Sequence, residues 1–249
     1  MELFEYIGVE KTQLLVSITK LGDTLAILKD LDNLFQGLLP ETIKYIDDKQ
    51  FLLDIINSWL FRFVHTHLYI STINLLRLHI SECFSSTRAA IDATLSAYVI
   101  TKEPNRTAEY IEFNKKKENI FLNIKRYVNN QNEKEASTYP LAPPLIASHE
   151  MCSQFGSHAD FAVSFNRLDM TQAKDQGQIR VGYFQNPPND DVFHQYYLKT
   201  IDTYLKMLMV FYEGCKKREG AKELQWDNAK ESLLSKLRGL EEKYFANKD

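Results

Sequence analysis

Glycine and proline are scarce in this chain and unevenly spread. Of 249 residues nine are glycine and seven are proline, and no glycine lies between positions 38 and 155. Tight hairpin turns lean on glycine for their left-handed positions, so the gap argues against β-hairpins there. Cysteine is as sparse. Cys83, Cys152 and Cys215 are odd in number, far apart and free of any CxxC pairing. They read as reduced, buried thiols of a cytosolic protein and exclude a disulfide framework. No apolar run approaches the roughly 18 residues of a membrane span. The start, MELFEYIGVEKTQ, has neither the basic opening nor the apolar stretch of a signal peptide. A cytoplasmic protein with no membrane partner is the expectation. Charge of one sign is lacking too: 30 basic against 33 acidic residues give a net charge of −3. Neither nucleic acid nor an anionic membrane is demanded as a partner.

The common chemical signatures are also missing. GxGxxG and GxxxxGK[ST] are absent, as are HExxH and GxSxG. Di-iron helical bundles need paired Glu-x-x-His motifs, and the nearest match is Asp191-x-x-His194. His65 and His67 stand two apart, on divergent helix faces. No metal site and no cofactor is expected.

What is present is helical periodicity. Residues 55–101 contain neither glycine nor proline, and Leu76, Ile80, Cys83, Thr87, Ile91, Leu95 and Tyr98 recur in steps of three or four. This predicts one long central helix, or two helices with a kink, on which the rest packs. A second stripe, Arg77, Ser81, Ser85, Arg88, Asp92 and Ser96, is small and polar. Arg88 and Asp92 are four apart and so within pairing reach across one turn. The stripe is either a surface ion pair beside serines that admit a neighbouring helix, or a polar seam facing a cleft. The ion pair is the commoner case.

Elsewhere the punctuation is regular. A helix is predicted over about 10–36, bent at Gly22, and a second opens at Pro40, since proline suits a first turn. A fourth follows Pro104 through Val128. Residues 140–188 hold five of the seven prolines and three of the nine glycines. There we predict a short helix over 142–156 and then a small β-hairpin insertion near 161–184. Asn186-Pro187-Pro188 opens a helix carrying Phe193, Tyr197, Ile201, Tyr204 and Leu208, and a last helix covers 221–245. The chain reads as mainly α: a single helical-bundle domain over 1–249, with an N-terminal helical segment at 1–40 and an irregular insertion at 140–188.

Two places hold candidate chemistry. MCSQFGSHADF gathers Cys152, Ser153, Ser157, His158 and Asp160, either as the cap of the 142–156 helix or as a site at its end. Arg62 and His67 satisfy R-x4-H, with Phe63 following the arginine. That spacing is the minimal signature of HEPN ribonucleases, which are helical bundles. More broadly, SSTRAAIDATLSAYV followed by SQFGSHADF resembles a loose group of helical bacterial proteins similar to HEPN-like and abortive-infection proteins. The residues carrying this resemblance are Arg88, Asp92, Ser153, Ser157 and His158, within roughly 75–215. It implies a helical fold and a role in defence or stress.

Three functions follow as expectations. The first is a non-enzymatic bundle acting through protein contacts, as a homodimer or with a protein partner. The 13 tyrosines and 15 phenylalanines leave aromatic surface for that purpose. The second is a metal-independent ribonuclease of HEPN type, with RNA as partner. It would use Arg88, His158 and Asp92, or the pair Arg62 and His67, with Ser153 and Ser157 in binding. The third is a small-molecule binder with its pocket between the central helix and 150–185.

Overall fold

The structure is a computed structural model. It describes residues 2–43, 51–112, 120–135, 138–155, 168–169, 180–181, 184, 187, 189–216 and 223–245. The described chain is mainly helical. Its principal helices are α1 (Leu3–Leu21), α2 (Ala26–Ile43), α3 (Phe51–Leu76), α4 (Ile80–Lys102), α5 (Thr107–Ile111), α6 (Ile124–Lys134), α7 (Ala142–Phe155), α8 (Asp190–Lys216) and α9 (Glu223–Phe245).

The expected central helix is not continuous. It breaks at Arg77–His79, and its halves α3 and α4 fold back on each other. No glycine or proline marks the break. Instead Leu78 takes φ +61°, in the left-handed region. The His79 amide donates to the Asn74 carbonyl at 2.8 Å and the Leu78 amide to Leu75 at 2.9 Å. These two bonds form a Schellman motif, whose left-handed position is usually glycine. Here the cost of a side chain at positive φ is offset by burial, because Leu78 is only 8% exposed.

Antiparallel pairing of α3 with α4 follows. Asn57 donates to Thr101 at 3.1 Å near one end, and Thr87 donates to Ser71 at 3.1 Å near the other. Ser71 also bonds the Tyr204 hydroxyl at 2.9 Å, tying α8 onto the hairpin. The small polar residues of this seam let the helices approach, and their hydroxyls satisfy one another away from water. The apolar stripe of α4 is core as its spacing suggests, with Cys83, Ile91 and Leu95 fully buried.

Around the hairpin α2 packs on α3, α8 on both α3 and α4, and α6 and α7 on α4, while α9 packs on α2 and α8. α9 runs antiparallel to α8: Tyr212 stacks on Trp226 at 3.7 Å, and His194 stacks on Tyr244 at 4.0 Å. Phe35 of α2 stacks on His65 of α3 at 4.9 Å, and that ring bonds Asp32 at 2.7 Å. None of the described helices is long and apolar enough to cross a membrane.

Other boundaries moved. The expected bend at Gly22 is a full break, with φ +49° at Gly22 and a single 3-10 turn (Gly22–Leu25) before α2. Pro40 does not begin a helix; it lies inside the last turns of α2, where it leaves the Gln36 carbonyl without its helical donor. The helix expected after Pro104 is divided, with α5 ending at Ile111 and α6 starting at Ile124. The hairpin insertion expected near 161–184 is not supported. Only Leu168–Asp169 and Arg180–Val181 pair, two residues each, and nearly all of the remaining stretch lies outside the described residues.

The left-handed turn makes a definite prediction. Leu78→Gly and Leu78→Ala both lose the buried side chain, but only alanine keeps the strain of positive φ. The glycine variant is therefore the more stable of the two by about 1 kcal/mol in urea denaturation. The reverse order would contradict the turn described.

Candidate functional site

The surface carries a cavity of about 520 Å³. It lies where α3 and α4 diverge from α6 and α7. Trp59 and Phe63 line it from α3, Arg88, Asp92 and Ser96 from α4, and His149 from α7. Tyr110 and Phe121, with Lys125 and Arg126 of α6, close the remaining side. Three residues of the polar stripe, Arg88, Asp92 and Ser96, thus face a cleft.

Helical spacing places these groups. Arg88, Asp92 and Ser96 fall on one line because each is a turn beyond the last. Trp59 and Phe63 are likewise four apart, with ring centroids 6.1 Å apart, and Phe63 rests on His67 at 4.1 Å. Tyr110 meets Phe121 edge-on at 4.8 Å. Burial raises the Tyr110 phenol above its ordinary pKa, so it stays neutral.

The expected Arg88–Asp92 pair does not form among the described residues. Asp92 Oδ1 lies instead 3.2 Å from His149 Nε2 of the neighbouring helix, an ion pair when the imidazole is protonated. Arg88 is exposed, and neither it nor Arg126 has an ion pair among the described residues. Lys125 is held by Glu150 at 3.4 Å. The cleft therefore presents two arginines with free charge against one carboxylate.

Asp92, His149 and Ser153 are the residue types of a hydrolytic triad, but their geometry is that of a strut. Ser153 lies 3.4 Å from His149 Nδ1, yet its hydroxyl donates to the His149 carbonyl at 2.7 Å. A nucleophile must pass its proton to the imidazole, and here that proton is committed to the backbone. His149 is 7% exposed, with Asp92 on one nitrogen and Ser153 beside the other. Cys152, also on the buried side of α7, is no nucleophile either: burial pushes its thiol up to about 12, and Arg88 only partly opposes this.

The far wall of the cleft is braced at Glu103, the residue that follows α4. Tyr127 of α6 donates to it at 2.9 Å, Arg106 at 2.6 Å, and Tyr139 also donates to it. Burial works to raise the Glu103 pKa, but bonds from Tyr139, Arg106 and Tyr127 outweigh it and leave the carboxyl below its usual value. Asn132 clasps the Tyr139 backbone at both amide and carbonyl, at 2.8 and 3.1 Å. α6 is thereby held at a fixed distance from α4.

The other expected residues fall as follows. His158 and Ser157 lie outside the described residues. Arg62 and His67 are five apart on α3, hence about 140° apart around it. Arg62 is exposed, while His67 bonds Ser86 across the hairpin at 2.7 Å. His149 was overlooked because it sits in register with Ala142, Leu145 and Cys152 and passes for a core position. A histidine in an otherwise apolar stripe was the available signal. No family model, curated protein or solved structure matches the chain.

Two measurements check this geometry. Tyr139→Phe lowers stability by about 1 kcal/mol, and Glu103→Ala costs more because it leaves three donors without their acceptor; equal or negligible losses would contradict the brace. Burial also holds the His67 pKa below its ordinary value, with hydrogen bonding at Ser86 opposing it in part. The unfolded chain then takes up that proton first, so this contribution is complete above pH about 6.5 and is lost as pH falls through the folded pKa. His67→Asn should flatten the acid side of a plot of Tm against pH.

Proposed function

We propose that the protein binds a small organic anion, one with a phosphate or carboxylate and a flat apolar body, in the cleft between α4 and α6. One observation carries the reading: Arg88 and Arg126, without ion pairs among the described residues, share a cavity with Trp59, Phe63 and Phe121. Guanidinium groups pair with phosphate and carboxylate through parallel hydrogen bonds, and the aromatic wall takes up the apolar remainder. A volume of about 520 Å³ suits such a ligand. Binding is favoured over catalysis because the histidine and the serine at the site are both occupied by structural bonds. Most of the 150–185 stretch expected to line a pocket lies outside the described residues.

Calorimetric titration with phenyl phosphate tests the proposal. We expect saturable one-to-one binding, with Arg88→Ala weakening it by at least about tenfold, the loss of one charge-assisted contact. Phenol, which lacks the anion, should bind far more weakly. Equal affinity for phenol and phenyl phosphate, or an Arg88→Ala variant that binds as wild type does, would contradict it.

A further inference from the structure

Asp92 is out of place in a site made only for an anion. A carboxylate beside two arginines repels phosphate, and an acid without another task would pair with Arg88 one turn away. Instead its Oδ1 lies 3.2 Å from His149 Nε2, while the side chain keeps 47% of its surface exposed. The second oxygen has no hydrogen-bond partner among the described residues. A carboxylate placed in this way accepts hydrogen bonds from hydroxyl or amino groups, and it favours a ligand that presents such donors a short distance from its anion.

Trp59 supplies the third requirement. The residue is 59% exposed although it lines the cavity. Phe63 lies one turn on, with ring centroids 6.1 Å apart. An exposed indole at a cationic cleft is a stacking platform for a planar ring.

From these three groups we infer that the ligand is a nucleoside monophosphate: the phosphate at Arg88 and Arg126, the ribose hydroxyls or exocyclic amine on Asp92, and the base on Trp59. This rests on the anion site proposed above and narrows it. Two arginines without ion pairs suit one phosphate group rather than a polynucleotide, which needs cations along a track.

The test uses the full chain carrying Trp226→Phe, which keeps a ring against Tyr212 and leaves Trp59 as the only indole. Emission is followed during titration with AMP, ribose 5-phosphate and phenyl phosphate, excited at the red edge of indole absorption. We expect AMP to quench Trp59 and to bind at least tenfold more tightly than either fragment. Asp92→Asn, which keeps the shape of the side chain, should remove the advantage of AMP over phenyl phosphate, while phenyl phosphate, freed of the carboxylate's repulsion, binds at least as well as before. Trp59→Leu, followed by calorimetry, should weaken AMP and spare ribose 5-phosphate. If AMP binds no better than phenyl phosphate, or keeps its advantage in Asp92→Asn, the nucleotide assignment falls and the anion site stands. If none of the three binds, both fall.

Discussion

Everything in this bundle hangs on the reversal at Arg77–His79. A continuous helix over α3 and α4 would place Trp59 and Arg88 some 40 Å apart, at about 1.5 Å per residue. The Schellman turn closes that distance by laying α4 back along α3. The turn is made with leucine, so its geometry depends on the packing that buries the Leu78 side chain, and the stability of the turn is coupled to that of the core. The hydrogen bonds across the hairpin, Ser71 with Thr87 and His67 with Ser86, fix the register, and Arg88 shares a cavity with Phe63 and Trp59.

Two further constraints turn this hairpin into a cleft. The Glu103 node ties α6 to the end of α4, since three donors from separate segments converge on one carboxylate. The Asp92–His149 contact joins α7 to α4 at the cleft floor. Between the brace and the floor the chain leaves polar residues unfilled by packing, at a place where an apolar bundle would close. A fold of this size gains stability by filling such a space. That it stays open, and is lined by arginines on one side and rings on the other, is the physical content of the binding proposal.

The mainly helical fold was legible because the apolar stripes of α4, α7 and α8 keep helical spacing over many turns. The reversal was not. Its sequence carries none of the glycine or proline that usually announces a turn, and the stripe from Leu76 to Ile80 runs on in register across the break. Pro40 misled in the opposite sense: it suits a first turn, but here it sits within α2, and the packing of that helix tolerates the lost backbone bond. At the site, Arg88 and Asp92 stood out as polar residues on one face, whereas their relation did not. Whether Asp92 pairs along its own helix or across to His149 is decided by how α7 docks, which no local spacing records. Arg126 and Phe121 were equally hidden, since their place depends on where the segment after α5 returns.

The most direct test of the central claim is a crystal structure with 4-iodophenyl phosphate, in which anomalous scattering locates the iodine and the density locates the phosphate. The account predicts phosphate oxygens within hydrogen-bonding distance of the Arg88 guanidinium, with the iodinated ring against Trp59 and Phe63. A saturated crystal with the cleft empty, or with the phosphate bound away from Arg88, would contradict it.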